Sequence, residues 1–266
     1  MEVLAAADLE HFIELGWCRV PAAFSADDAA AAVGDLWARM AGKRGIARDR
    51  PDTWPPAYDI EEHLDTPAVL RCFTDRLSAA IEQLVGPGRW IGARRWGLWP
   101  VNFAFGAREP DAVPSFGWHV DGNWFRHTLD CPRQGLLVIG LFTDVAPGGG
   151  GTVLAERSHR RTARVLAEHP AGLTHTELFD RVLAEPLGDF CELTGAAGDA
   201  ILAHPFLFHT RGFKRGGPPR VLSNTEAPLR EPMRPHAPSA PVEHAIARAL
   251  ATAADPPPAG ALRCRF

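Results

Sequence analysis

One short segment of the chain places an imidazole and a carboxylate two residues apart: Trp118-His119-Val120-Asp121. On an extended strand, residues i and i+2 point to the same face, so His119 and Asp121 can converge on one point. Together they make two-thirds of the two-histidine, one-carboxylate set that holds iron(II) with positions left open. Alone the pattern is weak, because a chain with 11 histidines yields about 0.7 His-x-Asp pairs by chance. The plainer reading is a strand-end histidine and aspartate bonded to a loop.

A third ligand has to come from a distant strand on the same core, and Asp199–Arg211 offers His204 and His209. Five residues apart, with Pro205 between them, the two would face opposite sides of a regular strand, so at most one is a ligand. His209 is the choice, because Arg220 follows it by eleven residues. A hairpin turning through Lys214-Arg215-Gly216-Gly217-Pro218-Pro219 returns the chain beside the strand it left. Arg220 can then lie deeper in a barrel than the metal, where a guanidinium suits the distal carboxylate of a five-carbon diacid. Without such a partner, it would be a costly unpaired buried charge.

The elements that must position these groups read as helices first and strands later. Ser25 and Asp28 form a capping pattern ahead of Val33, Leu36, Trp37 and Met40, and Thr66-Pro67 starts a second helix whose face runs Leu70, Phe73, Leu77, Ile81 and Leu84. From Arg89, apolar runs alternate with Gly, Pro and Asp clusters, which predicts strands near 90–106, 116–121, 134–144, 151–155, 188–194, 199–211 and 219–227. A helical insertion at 160–184 carries a second capping box, Thr174 with Glu177, and a last helix falls near 241–254. Helices followed by strands, with few βαβ units, predict a mainly β fold: a jelly roll wrapped by helices. The chain reads as one domain over 1–266, with N-terminal helices over 7–86, a core over 88–228 and a helical tail over 234–266.

From about residue 8 to 230 the sequence resembles the phytanoyl-CoA dioxygenase family of iron(II)/2-oxoglutarate oxygenases. The likeness rests on the Phe12-Ile13-Glu14-Leu15-Gly16-Trp17 opening, on Trp118 to Gly122, and on the run from Asp144 through Gly148 to Ser158-His159. It closes with Gly198-Asp199 through His204-Pro205-Phe206-Leu207-Phe208-His209, then Arg220. The resemblance implies a double-stranded β-helix of the cupin type, with iron(II) on His119, Asp121 and His209 and 2-oxoglutarate on Arg220. Thr152 and Asn102, on strands facing the same cavity, are candidates for further cosubstrate contacts. The implied reaction consumes O₂, releases succinate and CO₂, and oxidises a C–H bond of a small molecule, such as a secondary metabolite, most simply by hydroxylation. Halogenating relatives carry Gly or Ala in place of the carboxylate, so Asp121 implies oxygen rebound or desaturation. The chain departs from the family pattern at Gly148-Gly149-Gly150-Gly151, and at Arg211, where a small hydroxyl residue is common.

Residues after the metal motif should rim the cavity, which makes Trp124, Arg126 and His127 candidates for substrate contact, with Trp99 a further one. Aromatics with one or two cations suit a small, partly apolar acid or a natural-product scaffold. The insertion at 160–184 could serve as a lid. The net charge of −4 gives no footprint for nucleic acid or an anionic membrane. The start shows no signal-peptide pattern, no run reaches membrane-spanning length, and five scattered cysteines without CxxC fit a reducing, cytoplasmic setting. Two other functions remain open: a cupin-like metalloenzyme without redox chemistry (an isomerase or hydrolase), and a non-catalytic binder of small acids.

Overall fold

Short strands separated by Gly- and Pro-rich turns pair into two sheets in the computed structural model, which describes residues 2–107, 113–252 and 262–265. The strands are β1 (Trp17–Val20), β2 (Ala57–Ile60), β3 (Trp99–Asn102), β4 (Leu137–Leu141), β5 (Thr152–Ala155), β6 (Phe190–Leu193), β7 (Ala200–Ala203), β8 (His209–Arg211), β9 (Arg220–Glu226) and β10 (Leu262–Arg265). One sheet runs β1-β7-β4-β9-β3-β2 and the other β10-β6-β5-β8. All pairings are antiparallel except β10 with β6. The two sheets face each other as a jelly roll with flanking helices, as the sequence predicts.

Period-2 alternation divides β4 between two cores. Leu137, Ile139 and Leu141 of β4 point between the sheets and pack with Leu154, Cys191, Leu193, Ile201 and Leu222. Val138 and Phe142 point outward, under the helices, with Trp96, Trp99 and Val101. Gly140 lets Trp96 lie against the strand, because a Cβ there would fall 2.7 Å from the indole.

The outer core is closed by α1 (Ala6–Leu15), α2 (Ala26–Arg44), α3 (Pro67–Arg71), α4 (Asp75–Val85), α5 (Ser158–Ala167), α6 (His175–Val182) and α7 (Pro241–Ala251). Ser25 caps α2 by accepting the Asp28 N–H, and the Thr174–Glu177 capping box opens α6.

The structure corrects several boundaries. The helix expected from Thr66 breaks into α3 and α4, because Thr74 starts a new helix by capping the Leu77 N–H. The insertion at 160–184 is likewise two helices, split by a turn at Gly172. The strand expected over 90–106 shrinks to β3. That over 116–121 is a single bridge, His119 to His209, flanked by positive-φ Gly117 and Gly122. β1 and β2 lie where the sequence reads as helical, and β10 lies in the tail expected to be helical. The end of the helix expected to 254, the start Met1 and the rest of the one-domain span at 108–112, 253–261 and 266 fall outside the described residues.

Candidate metal centre and its cavity

His119 and His209 are locked face to face by their own backbones. His119 N–H donates to His209 O at 3.0 Å, and His209 N–H returns the bond at 2.9 Å. Their ring centroids are 4.3 Å apart. Each Nδ1 meets a backbone carbonyl, His119 that of Gly117 at 2.7 Å and His209 that of Leu207 at 3.1 Å. Those carbonyls place the ring proton on Nδ1 and leave each Nε2 as a free lone pair, the usual outer-shell arrangement of a metal-binding histidine. Both Nε2 atoms face Asp121 Oδ1, at 3.5 and 3.7 Å.

One donor atom from each of these three residues lies within 4.8 Å of the other two, and no other such group occurs among the described residues. His209 is 3% exposed and its Nε2 is buried without a hydrogen-bond partner. A buried acceptor left unpaired costs stability, and a divalent cation at the centre of the trio would satisfy it. The donor set therefore fits a metal such as iron(II). Burial, then the neighbouring His119, push the His209 imidazole down to about 4, which keeps it neutral. Burial pulls the Asp121 carboxyl upward, but the imidazoles around it, His119 first, outweigh that and hold it below its ordinary value. Gly122 follows directly at φ 105°, and a Cβ there would strike the Phe125 ring at 2.3 Å, so only glycine allows this turn beside Asp121.

Arg220 opens β9 on the inner face and is 2% exposed. Its Nε donates to Gly150 O at 2.7 Å and its Nη1 to Pro100 O at 2.9 Å, and no carboxylate pairs with it among the described residues. Burial, then Arg211, push its pKa down to about 9, which still leaves it charged near neutrality. The socket around it is built from the glycine run. Buried Glu192 accepts the N–H groups of Gly148, Gly150 and Gly151 at 2.7, 3.0 and 3.1 Å, fixing the carbonyl that holds Arg220. Sequence reasoning did not find Glu192, because its partners lie 41–44 residues away.

Asn102, opposite Arg220 in the β3–β9 register, belongs to the same scaffold. It donates to the carbonyls of Gly150 and Gly212 and accepts the Phe105 N–H, so its amide is committed to backbone. Thr152 is buried on β5 opposite Arg211, which in turn pairs with Asp59 and lies 5.7 Å over the Phe105 ring.

Beside the trio opens a cavity of about 600 Å³, bordered by Asp121, Trp124, Glu61, Arg95, Asn224 and Glu226. Of the four substrate candidates, only Trp124 borders it. Trp99 belongs to the outward face of β3 and packs on Phe142 at 4.7 Å, a consequence of strand phase. His127 is buried and bonds Gly122 O at 2.9 Å. Arg126 reaches the carbonyls of Ala171 and Gly172 and lies 3.8 Å from Glu177. These bonds, with the His127–Leu173 bridge, clamp the 160–184 insertion onto the segment after Asp121. The insertion also brings His175 to the neighbourhood of Asp121. Burial, then the Asp121 charge, raise the Glu226 carboxyl to about 7. A second hollow of about 480 Å³ between α2 and β2 holds charges that pair among themselves, Arg39 and Lys43 with Glu62.

No protein-family model matches the sequence, and no curated protein matches it. Solved structures do match in fold. The epimerase SnoN, in complex with Fe3+, α-ketoglutarate and nogalamycin RO, aligns with a TM-score of 0.53 over 96% of this chain and 93% of its own, at 16% identity. AviO1 from Streptomyces viridochromogenes Tue57 aligns with 0.51 over 90% and 99%, also at 16% identity. The apoform of EctD from S. alaskensis gives 0.50 over 84% and 77%, at 19% identity. Identities this low make the likeness one of fold.

Proposed function

We propose that the chain is a non-haem iron(II)- and 2-oxoglutarate-dependent oxygenase that oxidises a C–H bond of a small molecule, most simply by hydroxylation, and that it is related to the phytanoyl-CoA dioxygenase family. One observation carries the reading: three converging ligands with an orphaned Nε2 sit in the same barrel as a buried arginine that has no carboxylate partner among the described residues. The SnoN complex supports it, since it carries iron and α-ketoglutarate on the same fold.

Bound iron with 2-oxoglutarate and O₂ would provide the oxidising power, and the protein's share is binding, orientation and exclusion of water. His119, Asp121 and His209 would hold the metal, and the backbone bonds at both Nδ1 atoms keep their rings from turning away. Arg220 would receive the distal carboxylate of the cosubstrate, aimed by Gly150 and Pro100 before any anion arrives. Trp124 and the adjoining cavity would take the substrate beside Asp121. No side chain has to act as a general base.

A cupin-like metalloenzyme without redox chemistry would need the three ligands but would leave Arg220 without a function. The deciding experiment is succinate formation by anaerobically purified protein given iron(II), 2-oxoglutarate and air, alongside Arg220→Ala. The expected result is slow turnover without substrate that disappears in the variant. Tight metal binding with neither succinate nor 2-oxoglutarate binding would replace the oxygenase reading with the non-redox one.

A further inference from the structure

Alternation along β9 puts Arg220, Leu222, Asn224 and Glu226 on one face. The register sets that face inward, because Leu222, Asn224 and Glu226 lie opposite Leu141, Ile139 and Leu137 of the inner core. One end of the row is the guanidinium socket. The other end, six residues and about 20 Å along an extended strand, is a pair of unmet acceptors. Asn224 Oδ1 is buried with no donor among the described residues. Glu226 makes no hydrogen bond or ion pair with a described residue, and Arg95 is near enough only for its charge to be felt. Both border the cavity beside Asp121.

Two acceptors without donors ask for a ligand that donates, and a carboxylate among them asks for a cation. An ammonium group meets both needs, with three N–H donors and one positive charge. The rest of the wall agrees. Glu61 adds a further carboxylate against the single guanidinium of Arg95, so an acidic substrate would be repelled there. Trp124, 62% exposed at the same cavity, offers an indole face for a cation or for the C–H face of a ring.

We infer that the substrate carries a protonated amine, received by Glu226 and Asn224, on a body that packs against Trp124. This rests on the oxygenase reading of the cavity and reverses the expectation of an acidic substrate. The two anchors of β9 then sort their ligands by charge: Arg220 takes the dianion, and Glu226 takes the cation.

The probes are glucosamine, N-acetylglucosamine and glucuronate, three pyranoses that differ in charge. Their proton relaxation is measured by NMR with protein holding Mn(II) and saturating 2-oxoglutarate, because Mn(II) marks only ligands that settle near the trio. Glucosamine should bind about tenfold more tightly than glucuronate, the factor given by roughly one partly desolvated ion pair. Glu226→Gln should collapse that preference to about twofold. Trp124→Ala, at an exposed position that folding does not depend on, should weaken glucosamine and N-acetylglucosamine alike while keeping the preference between them. Glucuronate bound as well as glucosamine, a preference that survives Glu226→Gln, or no glucosamine signal at all would each overturn the assignment. Failure of Mn(II) or 2-oxoglutarate to bind the wild-type protein would instead strike the oxygenase reading itself.

Discussion

Two pairs of histidines pack ring against ring, each with a buried member, and only one of the two can hold a metal. His119 and His209 stand 4.3 Å apart by ring centroids, and His159 and His204 stand 5.2 Å apart beneath α1, α5 and α7. Spacing does not separate the pairs, and burial does so only in part: the His119 side chain is 40% exposed, whereas His209, His159 and His204 are buried. What differs is the third group and the direction of the nitrogens. In the first pair both Nε2 atoms point at Asp121. In the second, His204 faces the Val242 carbonyl through Nε2 and accepts the Phe206 N–H on Nδ1, while His159 Nε2 lies 3.3 Å from Ile13 O. No carboxylate joins that second pair at ligand distance among the described residues. A metal site is thus defined by what holds the far nitrogen and by an anion at the centre, and proximity alone does not make one.

The contrast breaks most sharply at the ligand itself. His209→Ala should reduce Mn(II) affinity by far more than the roughly 10- to 100-fold that loss of an outer-shell partner costs, as read by titration calorimetry. His204→Ala should leave Mn(II) affinity within about twofold, because its side chain bonds only Val242 and Phe206, neither a ligand nor an outer-shell partner. It should instead lower unfolding stability by about 3 kcal/mol through a core cavity and an unpaired Phe206 N–H, measured by urea denaturation. If the two variants exchange these behaviours, the ligand assignment is wrong.

A smaller effect sharpens the same contrast through pH. Burial pushes His204 down to about 3, and burial, with His204 and Arg160 beside it, pushes His159 well below its ordinary value. The folded state therefore binds fewer protons than the unfolded chain, and stability is lost as pH falls below the unfolded value of 6.5. The loss should be roughly 1.4 kcal/mol per pH unit for each histidine until its folded pKa is reached. In His204→Gln the slope of stability between pH 6 and 5 (a window of about one unit) should be shallower than in the wild type by one such increment. An unchanged slope would mean that this pair is hydrated or already charged.

Much of the site could be read from residue types, because its chemistry is carried by rare side chains at strand spacing. His119, Asp121 and His209 converge as the spacing predicts, although a single bridge replaces the expected strand at 116–121. Caps at Ser25 and Thr174 were equally legible, being local bonds over three residues. Strand phase was not. Trp99 and Asn102 lie on opposite faces of β3, and only the pairing of Asn102 with Arg220 reveals which face is inward. β1 and β2, four residues each, owe their form to β7 and β3, far away in sequence. Counting in twos from Arg220 would have reached Asn224 and Glu226, so that signal was present in the sequence. Glu192 had none, since a glutamate that gathers three glycine amides looks locally like any other.

That carboxylate has a consequence for kinetics. A loop of four consecutive glycines would ordinarily have to be ordered by its ligand, at a cost of about 1–2 kcal/mol of backbone entropy per residue. Here three of the loop's amides are already tied to Glu192. Those amides should exchange slowly with solvent deuterium even in the empty protein, and capture of the diacid should be limited by diffusion and desolvation instead of loop ordering.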